Sequence, residues 1–166
     1  LGAEKYGRSL VRYVHDLGLL DERMMVIHAI WVDDADIALL ARAGCTVAHN
    51  PVCNLRLGSG VMPYLALREA GVPLCIGTDE MNTDDTANLW QAGKLAAMLA
   101  TLDSPDYHRW PDAREILAAE QVGVQRLQDV PLADRRVLDV VHRPHATGGE
   151  VPHHAVTVPP ITWLGG

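Results

Sequence analysis

Three short stretches of this chain carry residue types able to do chemistry. His28 closes the apolar run Met24-Met25-Val26-Ile27, and His49-Asn50-Pro51-Val52-Cys53-Asn54 closes Thr46-Val47-Ala48. Gly77-Thr78-Asp79-Glu80 closes Val72-Pro73-Leu74-Cys75-Ile76. An asparagine side chain both donates and accepts hydrogen bonds, which matches the edge of a ring nitrogen and its exocyclic group. His49, Asn50 and Asn54 are therefore candidates for a substrate wall. Trp31, just past His28, has a face that can stack on a flat heterocycle. Each residue also has a structural reading: His28 as a histidine at a strand end, His49-Asn50-Pro51 as a turn opener, Asp79 as a helix N-cap and Trp31 as packing.

The elements that must position these residues alternate regularly. From Ala3 to Leu17 the apolar residues Leu10, Val11, Val14 and Leu17 recur at helical spacing, with Gly18 just beyond. Met24 to Ile27 is a short apolar run of the kind buried on both faces of a parallel sheet. Asp33 and Asp34 offer an N-cap, Ile37, Leu40 and Ala41 a stripe, and Gly44 a stop before the second strand. A helix over Met62 to Ala70 precedes the third strand, and a further helix is expected from Asp84 or Asp85 to Leu99. This βαβ alternation argues for a parallel sheet, whose chemistry gathers at the carboxyl ends of its strands.

Composition narrows the function classes. The chain has 166 residues, 14 Lys+Arg against 21 Asp+Glu and a net charge of −7. Nucleic-acid affinity comes mainly from cations on phosphates, so a nucleic-acid or anionic-membrane partner is not expected. No apolar run reaches the ~18 residues that cross a bilayer. Three cysteines without CxxC spacing suggest neither a disulfide framework nor a structural zinc module, and a cytoplasmic location is expected. No phosphate-binding glycine motif follows any strand, which counts against a nucleotide-binding domain.

Taken together, the three stretches resemble the amidohydrolase superfamily, in its cytosine/guanine deaminase-like and hydroxytriazine aminohydrolase-like branch. There the sixth strand ends in histidine, the seventh runs into His-Asn-Pro-x-x-Asn-Leu-x-Leu-x-x-Gly, and the eighth ends in Gly-Thr-Asp. His28, the loop from His49 to Gly60, and Gly77-Thr78-Asp79 match in that order. The resemblance covers Leu1 to Ala119 and implies an α/β fold, a partial (β/α)8 TIM-type barrel holding strands six to eight and their helices. It implies that Asp79 is a metal ligand and the base that takes a proton from water activated by one divalent metal, zinc or iron. It places His28 across the site as an electrostatic stabiliser. The implied reaction is hydrolytic deamination of a small aromatic N-heterocycle. Glu80 becomes a candidate for reading the substrate's amino substituent, and Gly77 to Asp85 looks closest to hydroxytriazine aminohydrolase-like members.

The same resemblance exposes an absence. The family's His-x-His pair and His-x-x-Glu do not occur before His28, whereas a catalytic metal needs at least three protein ligands. The chain is therefore expected to be the last part of a barrel, inactive alone. The alternative is a catalytically incomplete relic or a binding or scaffold domain. Three strands would leave both sheet edges unpaired unless a partner covers them, and homo-oligomerisation is left open. Residues 120–166 are expected to form an irregular tail, since four of the eight histidines and five of the ten prolines lie from Pro131 onward. A shift of reading frame near Ala119 would explain that change of composition, and those histidines have nothing to position them beside Asp79.

Overall fold

The computed structural model describes residues 2–80, 83, 85–129 and 136–139, with backbone alone for 3, 122–129 and 136–139. Four parallel strands form one sheet: β1 (Met24–Ile27), β2 (Thr46–His49), β3 (Leu74–Ile76) and β4 (Arg136–Asp139), in the order β3-β2-β1-β4. The registers Ile27↔Ala48 and His49↔Ile76 align the carboxyl ends of β1, β2 and β3. Every residue of β2 and β3 is buried, as expected of strands covered on both faces.

The helices follow from local signals. The expected first helix is two, α1 (Gly2–Tyr6) and α2 (Leu10–Asp16). Gly7 takes a left-handed φ of 67°, and Ser9 then caps α2 by accepting from the Arg12 N–H. Helix α3 (Asp34–Ala43) opens on a capping box, in which Asp33 accepts from the Asp36 N–H while Asp36 reaches back to the Asp33 N–H. It stops at Gly44, whose φ is 68°. Pro51 sits at the first position of α4 (Pro51–Arg56), where its missing N–H costs nothing.

Helix α5 (Tyr64–Glu69) is shorter than the expected Met62 to Ala70. The next helix, α6 (Leu89–Ala100), starts later than expected because Asn88, not Asp84 or Asp85, caps it. Asp85 instead pairs with Arg56 at 2.6 Å, and Asp84 lies outside the described residues. The core gathers Val26, Val47, Leu40, Leu65 and Leu67 between sheet and helices. Each fully buried Leu contributes about 2 kcal/mol of transfer free energy.

The irregular tail needs correction in two places. Helix α7 (Ala113–Asp129) runs ten residues past Ala119, and β4 pairs parallel with β1, Ile27 facing Asp139. The β1 edge expected to be bare is thus covered. Residues 130–135 and 140–166, and so the prolines and histidines of that stretch, lie outside the described residues.

Candidate active site

The ladder continues one residue beyond each strand, since the His28 N–H donates to the Ala48 carbonyl and the Gly77 N–H to that of His49, both at 2.9 Å. The chain then leaves the sheet sharply. His28, Ala29 and Asp79 have φ of 71°, 44° and 66°, left-handed values that cost residues with a Cβ about 1 kcal/mol or more each. The two residues expected to do chemistry therefore follow their strands, His28 one residue after β1 and Asp79 three after β3, and sit in strained turns.

Those turns bring the two side chains together. His28 Nε2 lies 3.3 Å from Asp79 Oδ2, with side-chain exposures of 7% and 20%. His28 Nδ1 is 2.6 Å from Asn54 Oδ1. An amide oxygen only accepts, so Nδ1 donates to Asn54 and Nε2 is the ring atom that faces the carboxylate. A proton or a cation can bridge a ring nitrogen and a carboxylate oxygen at that distance. An imidazole nitrogen beside a carboxylate is a donor set that fits a divalent metal, with Asp79 as the anionic ligand.

Asn50 orients that carboxylate. It stands at the N-cap position of α4 but makes no capping bond, its Nδ2 donating instead to Asp79 Oδ2 at 3.2 Å. A Cβ at Gly77 would meet Asn50 Oδ1 at 2.5 Å, so glycine is required there. The Glu80 N–H donates to Asp79 Oδ1 at 2.8 Å.

The other expected residues sit differently. Asn54 is buried and turned toward His28, with its Nδ2 unpartnered among the described residues. His49 is also buried, its Nδ1 equally unpartnered. Burial, and secondarily the charge of His28, pushes the His49 imidazole down to about 4, so it is neutral at neutral pH. Trp31 is 47% exposed and fixed by its Nε1, which donates to the Ser59 carbonyl at 2.9 Å. Glu80 is exposed. Thus His28, Asn50, Asn54 and Asp79 form one connected group, with His49 buried at the end of β2 and Trp31 and Glu80 exposed beyond strands β1 and β3.

One residue escaped the sequence reading. Cys53 is buried, and its Sγ, a ring nitrogen of His28 and an Asp79 carboxylate oxygen all lie within 4.8 Å of one another. The signal was the spacing Asn50, Cys53, Asn54, which shares one face once Pro51 starts a helix.

Known proteins place this geometry in a family. A sequence model described as the amidohydrolase family matches residues 3–119. The 5-methylthioadenosine/S-adenosylhomocysteine deaminase of Thermococcus kodakarensis is 37% identical over 86% of this chain and 35% of its own length. The 5′-deoxyadenosine deaminase of Methanosarcina mazei is 32% identical over 92% of this chain and 37% of its own. The zinc-bound crystal structure of an adenosine deaminase from Xanthomonas campestris superposes with a TM-score of 0.71 at 33% identity, over 75% of this chain and 28% of that one. The chain spans 35% to 37% of the length of these two curated relatives. Family match, identity and the strand-end arrangement agree, and the chain belongs to the amidohydrolase family.

Proposed function

We propose that the intact protein hydrolytically deaminates an aromatic N-heterocycle with one divalent metal, zinc or iron. In this reading β1, β2 and β3 correspond to the sixth, seventh and eighth strands of the family's barrel, and residues 1–119 are the barrel part of the chain. The observation that carries it is the approach of His28 Nε2 to Asp79 Oδ2, 3.3 Å apart where two parallel strands end. When bound, the metal supplies a nucleophile from water at neutral pH.

This chain's residues supply the rest. Asp79 accepts a proton and passes it to the leaving nitrogen, while Asn50 keeps the carboxylate aimed. His28, its tautomer set by Asn54, steadies charge that develops at the attacked carbon. Trp31 offers a face to a flat ring, and exposed Glu80 can read an amino substituent. A cytoplasmic location is part of this reading, since three cysteines without CxxC spacing offer no disulfide framework.

The relatives' names make adenine nucleosides the first substrate class to try, and the sequence resemblance makes hydroxytriazines the second. Ammonia release from 5′-methylthioadenosine, adenosine, guanine and a hydroxytriazine should be measured on the intact protein alongside its metal content. Activity on at least one substrate that disappears in Asp79→Asn is the expected result. An intact, metal-loaded protein inert toward all four would favour the binding or scaffold alternative.

A further inference from the structure

Helices α6 and α7 border a groove of about 310 Å³, walled by Trp90, Lys94 and Ala97 of α6 and by Ile116, Leu117 and Glu120 of α7. Gly93 lets the two helices close up, because a Cβ there would run into the Glu120 carboxylate and lie 3.0 Å from Ile116 Cγ2. Trp90 is 72% exposed at this groove, although an indole normally buries most of its ~150–250 Å². Exposed apolar surface around a hollow marks an interface, and tryptophan is among the side chains that carry interface energy.

The groove also leaves two charges unanswered. Neither Lys94, which is exposed, nor Glu120, which is half-buried, has an ion pair or side-chain hydrogen bond among the described residues. Asp112, on the same groove, is already engaged, accepting from the Glu115 N–H at 2.8 Å. Helix α7 also reaches α5, through Arg68 and Glu115 at 3.1 Å, so it lies on the α5 side of α6. In a (β/α)8 barrel the helix after the last strand gains its remaining neighbour on the opposite flank, which leaves this groove open in the intact protein.

We propose that the α6/α7 groove is an interface with a second copy of this chain, in which Trp90 of each subunit fills the other's groove and Lys94 pairs with the partner's Glu120. A two-fold interface applies one surface to itself, so that surface must carry both members of every contact. This one does, with an exposed aromatic beside a hollow and one unpaired cation beside one unpaired anion. A partner of a different kind would require only one member of each pair to be present.

Sedimentation velocity on the intact protein should show a dimer. Trp90→Ala should raise its dissociation constant at least about thirtyfold, as truncating an interface hot spot does. Lys94→Glu and Glu120→Lys each set like charges across the interface, so each should be monomeric alone. Mixed in equal amounts, the two should form a heterodimer, in which both opposite-charge pairs are restored. A misfolded variant would not recover on mixing.

A monomer at every concentration overturns the proposal, as does a dimer indifferent to Trp90→Ala. So do single variants that associate alone as well as they do together, or a mixture of folded variants that stays monomeric. A second measurement needs no variant. Hydroxyl-radical oxidation of Trp90, read by peptide mass, should fall as rising concentration carries the unaltered protein from monomer to dimer. Equal oxidation across that range, with Trp90 either open throughout or already covered in the monomer by another part of the protein, would overturn the proposal.

Discussion

Two aspartates in this molecule meet opposite fates. Asp36, in the first turn of α3, is 1% exposed, and both its oxygens have protein partners. Ser9 Oγ donates to Oδ1 at 2.5 Å, Arg12 Nε lies 3.3 Å from the same oxygen, and the Asp33 N–H reaches Oδ2 at 3.4 Å. The backbone around it is ordinary helix. Asp79 sits instead in a left-handed turn, where Asn50 and the Glu80 N–H bond its oxygens and His28 Nε2 comes within 3.3 Å, while two buried polar atoms of the surrounding elements, on Asn54 and His49, have no partner among the described residues. A carboxylate held by a serine, an arginine and a capping N–H in ordinary helix is doing structural work. One held under strain among unanswered groups has been placed for something the polypeptide alone does not supply.

The contrast breaks most sharply under substitution. In the intact protein, Asp79→Asn should lower kcat by about 10²–10⁴-fold, the range for losing a positioned proton acceptor, while the thermal midpoint holds or rises. His28→Asn should cost about 10²-fold, as expected for one electrostatic contact to the transition state. Steady-state kinetics beside a melting curve reads both. A fall in stability as large as the fall in rate would place Asp79 with Asp36 and erase the distinction.

His49 sharpens the comparison through pH. Its folded pKa of about 4 lies below the ordinary value of 6.5, so between those values the unfolded chain binds the extra proton. The stabilising contribution is complete above pH 6.5 and is lost as pH falls to 4, amounting to about 3 kcal/mol. His49→Gln should flatten that part of the stability profile, measured as urea midpoints at neutral and acidic pH. Identical slopes in the two proteins would mean that His49 is not held neutral by burial.

Much of this arrangement was legible in the residues. His28 and Asp79 stood out because apolar runs stopped at them, and Asp33 and Gly44 marked the ends of α3 by local capping chemistry. Cys53 was hidden because α4 reads as a loop, and the helical face uniting it with Asn50 and Asn54 exists only once that helix is known. Asn54 was expected on the substrate wall, yet its direction toward His28 depends on how α4 packs, which no local pattern encodes. β4 was missed for a related reason. Arg136-Val137-Leu138-Asp139 has only two apolar residues between charges, and it becomes a strand by pairing with β1.

The smallest expected effect belongs to Asp36 and tests the other half of the comparison. Asp36→Asn keeps the shape and one acceptor oxygen but replaces the other with an NH₂ that must face a donor, Arg12 beside the Ser9 hydroxyl or the Asp33 N–H. Arg12 retains a partner in Asp33, whose carboxyl is held below its usual range first by the Asp36 N–H and then by Arg12 itself. The loss is therefore one charged hydrogen bond within a network rather than an isolated buried charge, or about 2 kcal/mol. A urea midpoint should fall accordingly, with kcat per folded molecule unchanged. A change in kcat would show that the corner between α2 and α3 communicates with the strand ends, and the separation of structural from reactive carboxylates would not hold.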